Sequence, residues 1–189
     1  MPLLGIASCS DSNEKLTDTT QTSTTGDWVA VLIDGLYTKW NAGDTILLLQ
    51  NGQTTFAEAQ QSGNISNFSS DMENSFVESN PLYGIYPAGN MMSFDNESVT
   101  VSVPSIQTAG NDGYDRKAAI SVSRAFSDSL CFRSVCGGIR LNFQMSGVTK
   151  VELESVDGYA LSGKAKFEWN EQGLPVVAET SDTDYILMY

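Results

Sequence analysis

Apolar residues in this chain recur at every second position, and that period decides what it can fold into. Val99, Val101 and Val103 alternate with Thr100 and Ser102. Ile139, Leu141, Phe143 and Met145 alternate with Arg140, Asn142 and Gln144, and Val151 and Leu153 alternate with Lys150, Glu152 and Glu154. A period of two puts one face of a strand in a core and the other in water. Turn chemistry separates the runs: Asn51-Gly52, Asn111-Asp112-Gly113, Gly137-Gly138, Ser146-Gly147 and Asp157-Gly158. Ser146-Gly147, lying between two alternating runs, predicts a hairpin. Only residues 56–61 fit a helical turn, and Gly63 ends it. Short strands with frequent turns predict an all-β fold, an antiparallel two-sheet β-sandwich. At 189 residues the chain can bury a core without staples.

Two segments break the alternation. Trp28, Val29, Ala30, Val31, Leu32 and Ile33 are apolar on both faces, and so are residues 46–49. A strand buried on both sides belongs inside a parallel sheet, or else needs cover from a second layer, a loop or another molecule. The sequence leaves those choices open.

Composition narrows function by exclusion. The chain has no histidine, which removes Ser-His-Asp and Cys-His nucleophile systems, HExxH zinc sites and histidine proton switches. No glycine-rich nucleotide loop and no GxSxG elbow occurs. The expectation is therefore a binding or structural protein, not an enzyme, with no cofactor and no metal. Ten basic against 23 acidic residues give a net charge of −13, a field that repels phosphate and argues against nucleic acid as a partner.

The amino terminus has its own grammar. Leu4-Gly5-Ile6-Ala7-Ser8-Cys9 resembles a bacterial lipobox, in which small residues precede a cysteine that is acylated. Cys9 is the expected lipidation site, and residues 1–9 read as a truncated lipoprotein signal, too short to span a bilayer. The plainer alternative is an apolar stub with a chance cysteine. Residues 10–27 are almost wholly polar and predict a disordered tether. A flexible leash of that length reaches tens of ångströms, at about 5–6 Å × √n. Residues 28–189 are the expected folded body. Lipid-linked cysteine, polar leash and folded domain form the plan of a surface lipoprotein.

Five phrases resemble the fimbrillin family of lipoprotein pilus and tip subunits. They are Trp40-Asn41-Ala42-Gly43-Asp44-Thr45-Ile46; Tyr83-Gly84-Ile85-Tyr86-Pro87; Val101-Ser102-Val103-Pro104-Ser105-Ile106-Gln107; Leu130-Cys131-Phe132-Arg133 leading into Gly138-Ile139-Arg140-Leu141; and Val151-Glu152-Leu153 with Leu161-Ser162-Gly163-Lys164-Ala165. Each also has a plain structural account. Gly43 and Asp44 supply turn geometry, Pro87 and Pro104 end strands, and Gly163 suits a bulge or a close backbone approach. The resemblance implies an N-terminal sandwich of transthyretin-like Greek-key topology. The family's second sandwich would then be missing or much reduced here.

The resemblance also implies a mechanism. A fimbrial subunit reaches the outer membrane surface as a lipoprotein, and a protease removes its first strand. A neighbouring subunit then fills the groove by β-augmentation. Trp28 to Ile33 would be the exchangeable strand, and Lys39 the processing point, although the family commonly cuts after arginine. Burying about five large apolar side chains could contribute on the order of 10 kcal/mol before ordering costs. The implied partners are other fimbrial subunits, host or bacterial surface ligands, and the outer membrane through the lipid anchor.

Rival readings rest on other residues. Trp28, Trp40, Trp169, Tyr83, Tyr86 and Tyr159 could form a glycan-stacking platform, or could simply pack. Glu152 and Glu154 share a strand face and could be a glycosidase pair or a solvated face. Asn111-Asp112-Gly113-Tyr114-Asp115 could be a calcium loop, although its spacing is not that of an EF-hand. Cys131 and Cys136 could pair across a bend at Ser134, or remain buried free thiols.

Overall fold

The structure is a computed structural model and describes residues 27–33, 39–72, 80–95, 97–108, 115–139, 141–183 and 185–188. The chain is all-β, with no α-helix among the described residues. Its strands are β1 (Asp27–Ile33), β2 (Thr45–Gln50), β3 (Gln53–Ala59), β4 (Ile65–Ser69), β5 (Leu82–Tyr86), β6 (Met91–Phe94), β7 (Ser98–Val103), β8 (Ile106–Gln107), β9 (Ser121–Ala125), β10 (Ser129–Ser134), β11 (Val151–Glu154), β12 (Ser162–Trp169), β13 (Pro175–Thr183) and β14 (Tyr185–Met188). The chain divides into two compact units. One runs to Gly84 and includes Ser123–Arg133; the other holds Ile85–Val122 and Ser134 onward.

Seven strands close into a barrel in the order β1-β10-β9-β5-β2-β3-β4. The remaining strands form a three-stranded sheet, β11-β14-β8, and a four-stranded sheet, β13-β12-β7-β6. The ladders thus go beyond a two-sheet antiparallel arrangement. β1 pairs antiparallel with β4 but parallel with β10, and β14 pairs parallel with β8. The reason lies in connectivity. Hairpins enforce antiparallel neighbours, and β1 has no hairpin partner among the strands beside it; both neighbours are distant in sequence.

Local chemistry explains the hairpin at the barrel's centre. Asn51 (φ 51°) and Gly52 (φ 71°) both take positive φ, the two-residue turn that matches strand twist, and Gln50 pairs with Gln53 across it. Every residue of β2 from Ile46 to Gln50 is buried, as its unbroken apolar run demands. Buried Gln50 donates its side-chain amide to the Asn80 carbonyl at 3.1 Å. Residues 56–61 are not a helical turn. β3 runs through Ala59, with Ala57 and Ala59 buried and Phe56 and Glu58 exposed. Thr54, Thr55 and Phe56 favour the pleated surface, and pairing with β2 fixes the period at two.

Trp40 organises this unit's core. It is fully buried and edge-on to both Phe68 (centroids 4.9 Å, 77°) and Phe132 (5.3 Å, 86°). Its indole N–H donates to the Ala30 carbonyl of β1 at 3.0 Å. Its backbone forms a two-way bridge with Gly63. The turn after it is built as the phrase predicts: Gly43 has φ +87°, and the Asp44 carboxylate accepts the Asn41 N–H at 2.7 Å. Phe132 lies so close over Gly84 that a Cβ there would stand 2.6 Å from the ring. Gly84 is therefore a glycine of close approach.

The second unit buries Val99, Val101, Ile120, Val122 and Phe167. Pro104 follows the end of β7, as expected. Gly163 has φ +96°, but the ladder irregularity falls between Lys166 and Phe167 instead. Asp95 closes the β6–β7 turn, accepting the Ser98 N–H and hydroxyl at 3.0 and 2.6 Å, with Lys166 at 3.6 Å. The Ser98 hydroxyl, with help from Lys166, holds this carboxyl below its ordinary pKa.

One expectation fails here. The alternating residues Ile139, Leu141, Phe143 and Met145 lie in no strand, and no hairpin forms at Ser146-Gly147, although Gly147 does take φ +82°. Alternation makes a segment competent to be a strand, but only a neighbour's free edge makes it one.

Two substitutions test the barrel core by urea unfolding. Gly84→Ala is expected to cost about 1–3 kcal/mol by forcing the Phe132 ring aside. Trp40→Phe is expected to cost about 1–3 kcal/mol through the lost donor and lost packing. Midpoints unchanged from the parent chain would contradict this account of the core.

Candidate functional site

β1 is the element that the resemblance implies would be exchanged. Trp28 and Ala30 are fully buried, while Val29 and Val31 are half-buried. Leu32 and Ile33 continue the ladder, in register with Phe132 and Arg133. The Trp28 indole N–H donates to Ser70 Oγ at 3.2 Å, and the Val29 N–H donates to the Asp128 carbonyl at 3.0 Å. β1 is therefore held by ladders on both sides, by its own Trp28, and by the Trp40 donor reaching in from beyond its end. Withdrawing it would leave two facing ladder edges and take the Ala30 acceptor away from a buried indole N–H. The edges so exposed would suit an extended chain with a carbonyl at the position of Ala30.

Lys39 is exposed and directly precedes buried Trp40. A cut after Lys39 would therefore free β1 from the body while leaving Trp40 rooted in it by the Gly63 bridge. The neighbouring Tyr37 and Thr38 lie outside the described residues, as do Cys9 with its lipobox and residues 10–26 of the tether. β1 begins at Asp27, the last residue of the expected tether.

The cysteines do not behave as a pair. Cys131 in β10 is disulfide-bonded and Cys136 is free, so no bond joins them to each other. Neither alternative read from the sequence, a Cys131–Cys136 bond or two free thiols, is what the structure has. Cys136 lies past the end of β10, where the Ser134 hydroxyl donates to its carbonyl at 2.9 Å. Burial pushes the Cys136 thiol up, partly offset by a backbone hydrogen bond at Ile120.

The residues of the rival readings are dispersed. Trp28 and Trp40 are core residues, and Tyr83 and Tyr86 are 5% and 6% exposed. The Tyr86 hydroxyl accepts from Arg116 at 2.8 Å, with the guanidinium 5.9 Å from its ring. Trp169 is half-buried and Tyr159 is exposed. Glu152 and Glu154 stand on the exposed face of β11, where Glu152 meets Lys150 at 3.6 Å. Residues 111–114 lie outside the described residues, and Asp115 spends its carboxylate on the Thr108 and Lys117 N–H groups, each at 2.9 Å. Among the described residues no three His, Cys, Asp or Glu side chains gather as a metal site would require. An open depression of about 320 Å³ is lined by Gln53, Thr54, Thr55, Asp71 and Met72, without an aromatic floor.

No protein-family model, no curated protein and no solved structure matches this chain. The geometry of β1 therefore carries the functional reading. In the sequence Trp40 reads as the start of a turn phrase, and its grip on β1 does not show. The signal in the sequence is a large aromatic residue immediately after a lysine.

The raised Cys136 pKa gives a reactivity prediction. A raised pKa means less thiolate at a given pH. Iodoacetamide labelling of Cys136 in the native chain, read by peptide mass mapping, should therefore rise with pH later than in the urea-unfolded chain. Equal pH profiles for the two states would contradict the burial argument.

Proposed function

We propose that this chain is a cell-surface lipoprotein of the bacterial outer membrane, anchored through Cys9 in the form whose Cys131 is reduced, that serves as a fimbrial subunit or adhesin assembled by donor-strand exchange. The observation that carries the reading is the position of β1. It is a short, apolar, amino-terminal strand seated between two non-sequential neighbours, with an exposed lysine between it and the rest of the body. Removal of β1 opens the barrel without cutting any other strand. The ladder edges of β4 and β10 then become templates for an incoming strand.

In this reading the closed barrel is a joined form of the two-layer sandwich of the fimbrillin family. Lys39 is the processing point, and Trp28 to Ile33 is the segment a neighbour replaces. Uncut, the chain stays lipid-anchored, as a base or accessory subunit would. The absence of histidine and the burial of four of the six candidate sugar-stacking aromatics favour structural assembly over a glycan site or a catalytic one.

Brief native trypsin treatment tests the reading. The expected result is an early cut after Lys39, absent in Lys39→Gln, followed by uptake of a labelled peptide of residues 27–33 by the cut chain. A Lys39 bond that resists trypsin, together with a chain that refuses the peptide, would overturn it.

A further inference from the structure

Cys131 lies on the outer face of the barrel, at the seam where β1 meets β10. In β10 Leu130 and Phe132 are fully buried, while Cys131 between them is half-buried. Val31 of β1 stands directly opposite Cys131, and Ile65 of β4 stands opposite Val31. Residues in register across neighbouring strands share one face of the sheet. Val29 and Val31 are half-buried where Trp28 and Ala30 are fully buried, so this row is the outward one. A bond made by Cys131 therefore leaves the barrel on the outside, beside β1.

Counting names the other sulfur. The chain has three cysteines; Cys131 is disulfide-bonded and Cys136 is free. Within one chain the partner left is Cys9, which lies outside the described residues, with residues 10–26 between it and β1. To bring Cys9 to Cys131 those residues must reach back along β1 from Asp27 to Val31, roughly 13 Å at about 3.3 Å per residue. A flexible leash spans about 5–6 Å × √n, which exceeds that distance.

We propose that a Cys9–Cys131 disulfide is a redox latch on β1, keeping the strand attached to the barrel after the chain is cut at Lys39. Its use rests on the strand-exchange reading above; its existence does not. Cys9 precedes β1 and Lys39, and Cys131 follows both. A cut after Lys39 therefore leaves β1 on a fragment still joined to the body through sulfur. Such a leash holds β1 at an effective concentration of about millimolar at its own groove, which a free strand has to exceed. Release takes reduction: a dithiol attacks the bond, is itself oxidised to a disulfide, and leaves Cys9 and Cys131 as thiols. The latch forms by the reverse exchange, in which a disulfide oxidant takes up the two electrons. One sulfur cannot carry both a lipid and a disulfide, so the anchored chain is the unlatched one. Lys15 is the one basic residue between Cys9 and β1, and a second tryptic cut there would also undo the latch.

Mass mapping of the oxidised, unlipidated chain, with thiols blocked by N-ethylmaleimide in urea, tests the pairing. The expected map joins Cys9 to Cys131 and leaves the block on Cys136. The latch is tested in Lys15→Gln, cut after Lys39 by brief trypsin treatment. The β1 fragment should stay with the body in non-reducing denaturant and separate on adding dithiothreitol. Uptake of the labelled peptide of residues 27–33 at micromolar concentration should rise at least about tenfold on reduction. Adding Cys9→Ser should give the same rise without reductant, and adding Cys136→Ser should change nothing. Should Lys39 resist trypsin, the β1 amides of Cys9→Ser should still exchange hydrogen at least about tenfold faster than those of the oxidised parent. A Cys131–Cys136 bond, a Cys131 bond between two copies or a reduced Cys131 would each overturn the proposal. So would an oxidised chain whose β1 is released or exchanged as readily as in Cys9→Ser. Fragments that stay joined until reduced, in a chain that then refuses the peptide, keep the latch and remove strand exchange.

Discussion

The indole N–H of Trp40, buried against the Ala30 carbonyl, ties the amino-terminal strand to the body of the barrel. A buried donor that loses its acceptor costs about 1–3 kcal/mol, so Trp40 penalises an empty groove. The penalty applies to emptiness and not to the identity of the strand, because every residue has a carbonyl. The same hydrogen bond that stabilises β1 would stabilise a replacement. Phe68 and Phe132 fix the indole plane from two sides, and Gly84 leaves room for Phe132 to do so. A short chain of contacts thus holds the indole donor in place against β1.

The three sheets solve the edge problem differently. The barrel closes on itself, and its closure includes β1, which is parallel to β10. The other two sheets stay open, with β13 and β6 at the edges of one and β11 and β8 at the edges of the other. Soluble monomers blunt such edges with charge or cover. Here Val176 and Val177 of β13 are exposed, as are Ile139, Leu141, Phe143 and Met145.

Much of this was legible in sequence. Alternation at Val99, Val101 and Val103 and at Val151 and Leu153 marked β7 and β11, and Asn51-Gly52 marked the central hairpin. The unbroken apolar runs marked β1 and β2 as strands needing cover. What stayed hidden was long-range. The parallel pairing of β1 with β10 joins residues about a hundred positions apart, and no local signal encodes it. The alternation of residues 139–145 is as good as that of β7, but β7 has a partner edge on each side and this segment has none. Residues 56–61 showed the opposite error, where a weak helical spacing yielded to pairing with β2. Trp40 carried no spacing signal at all, because its partners Ala30, Phe68 and Phe132 come together only in the folded barrel.

The central claim is that β1 is a separable layer, able to leave while the rest of the barrel stands. Native-state hydrogen exchange of the uncut chain in low, rising urea measures this directly. The account predicts that the β1 amides exchange through a partial opening, at lower free energy than the amides of β2 and β3. Exchange of β1 only through the same global unfolding that exposes β2 and β3 would contradict it.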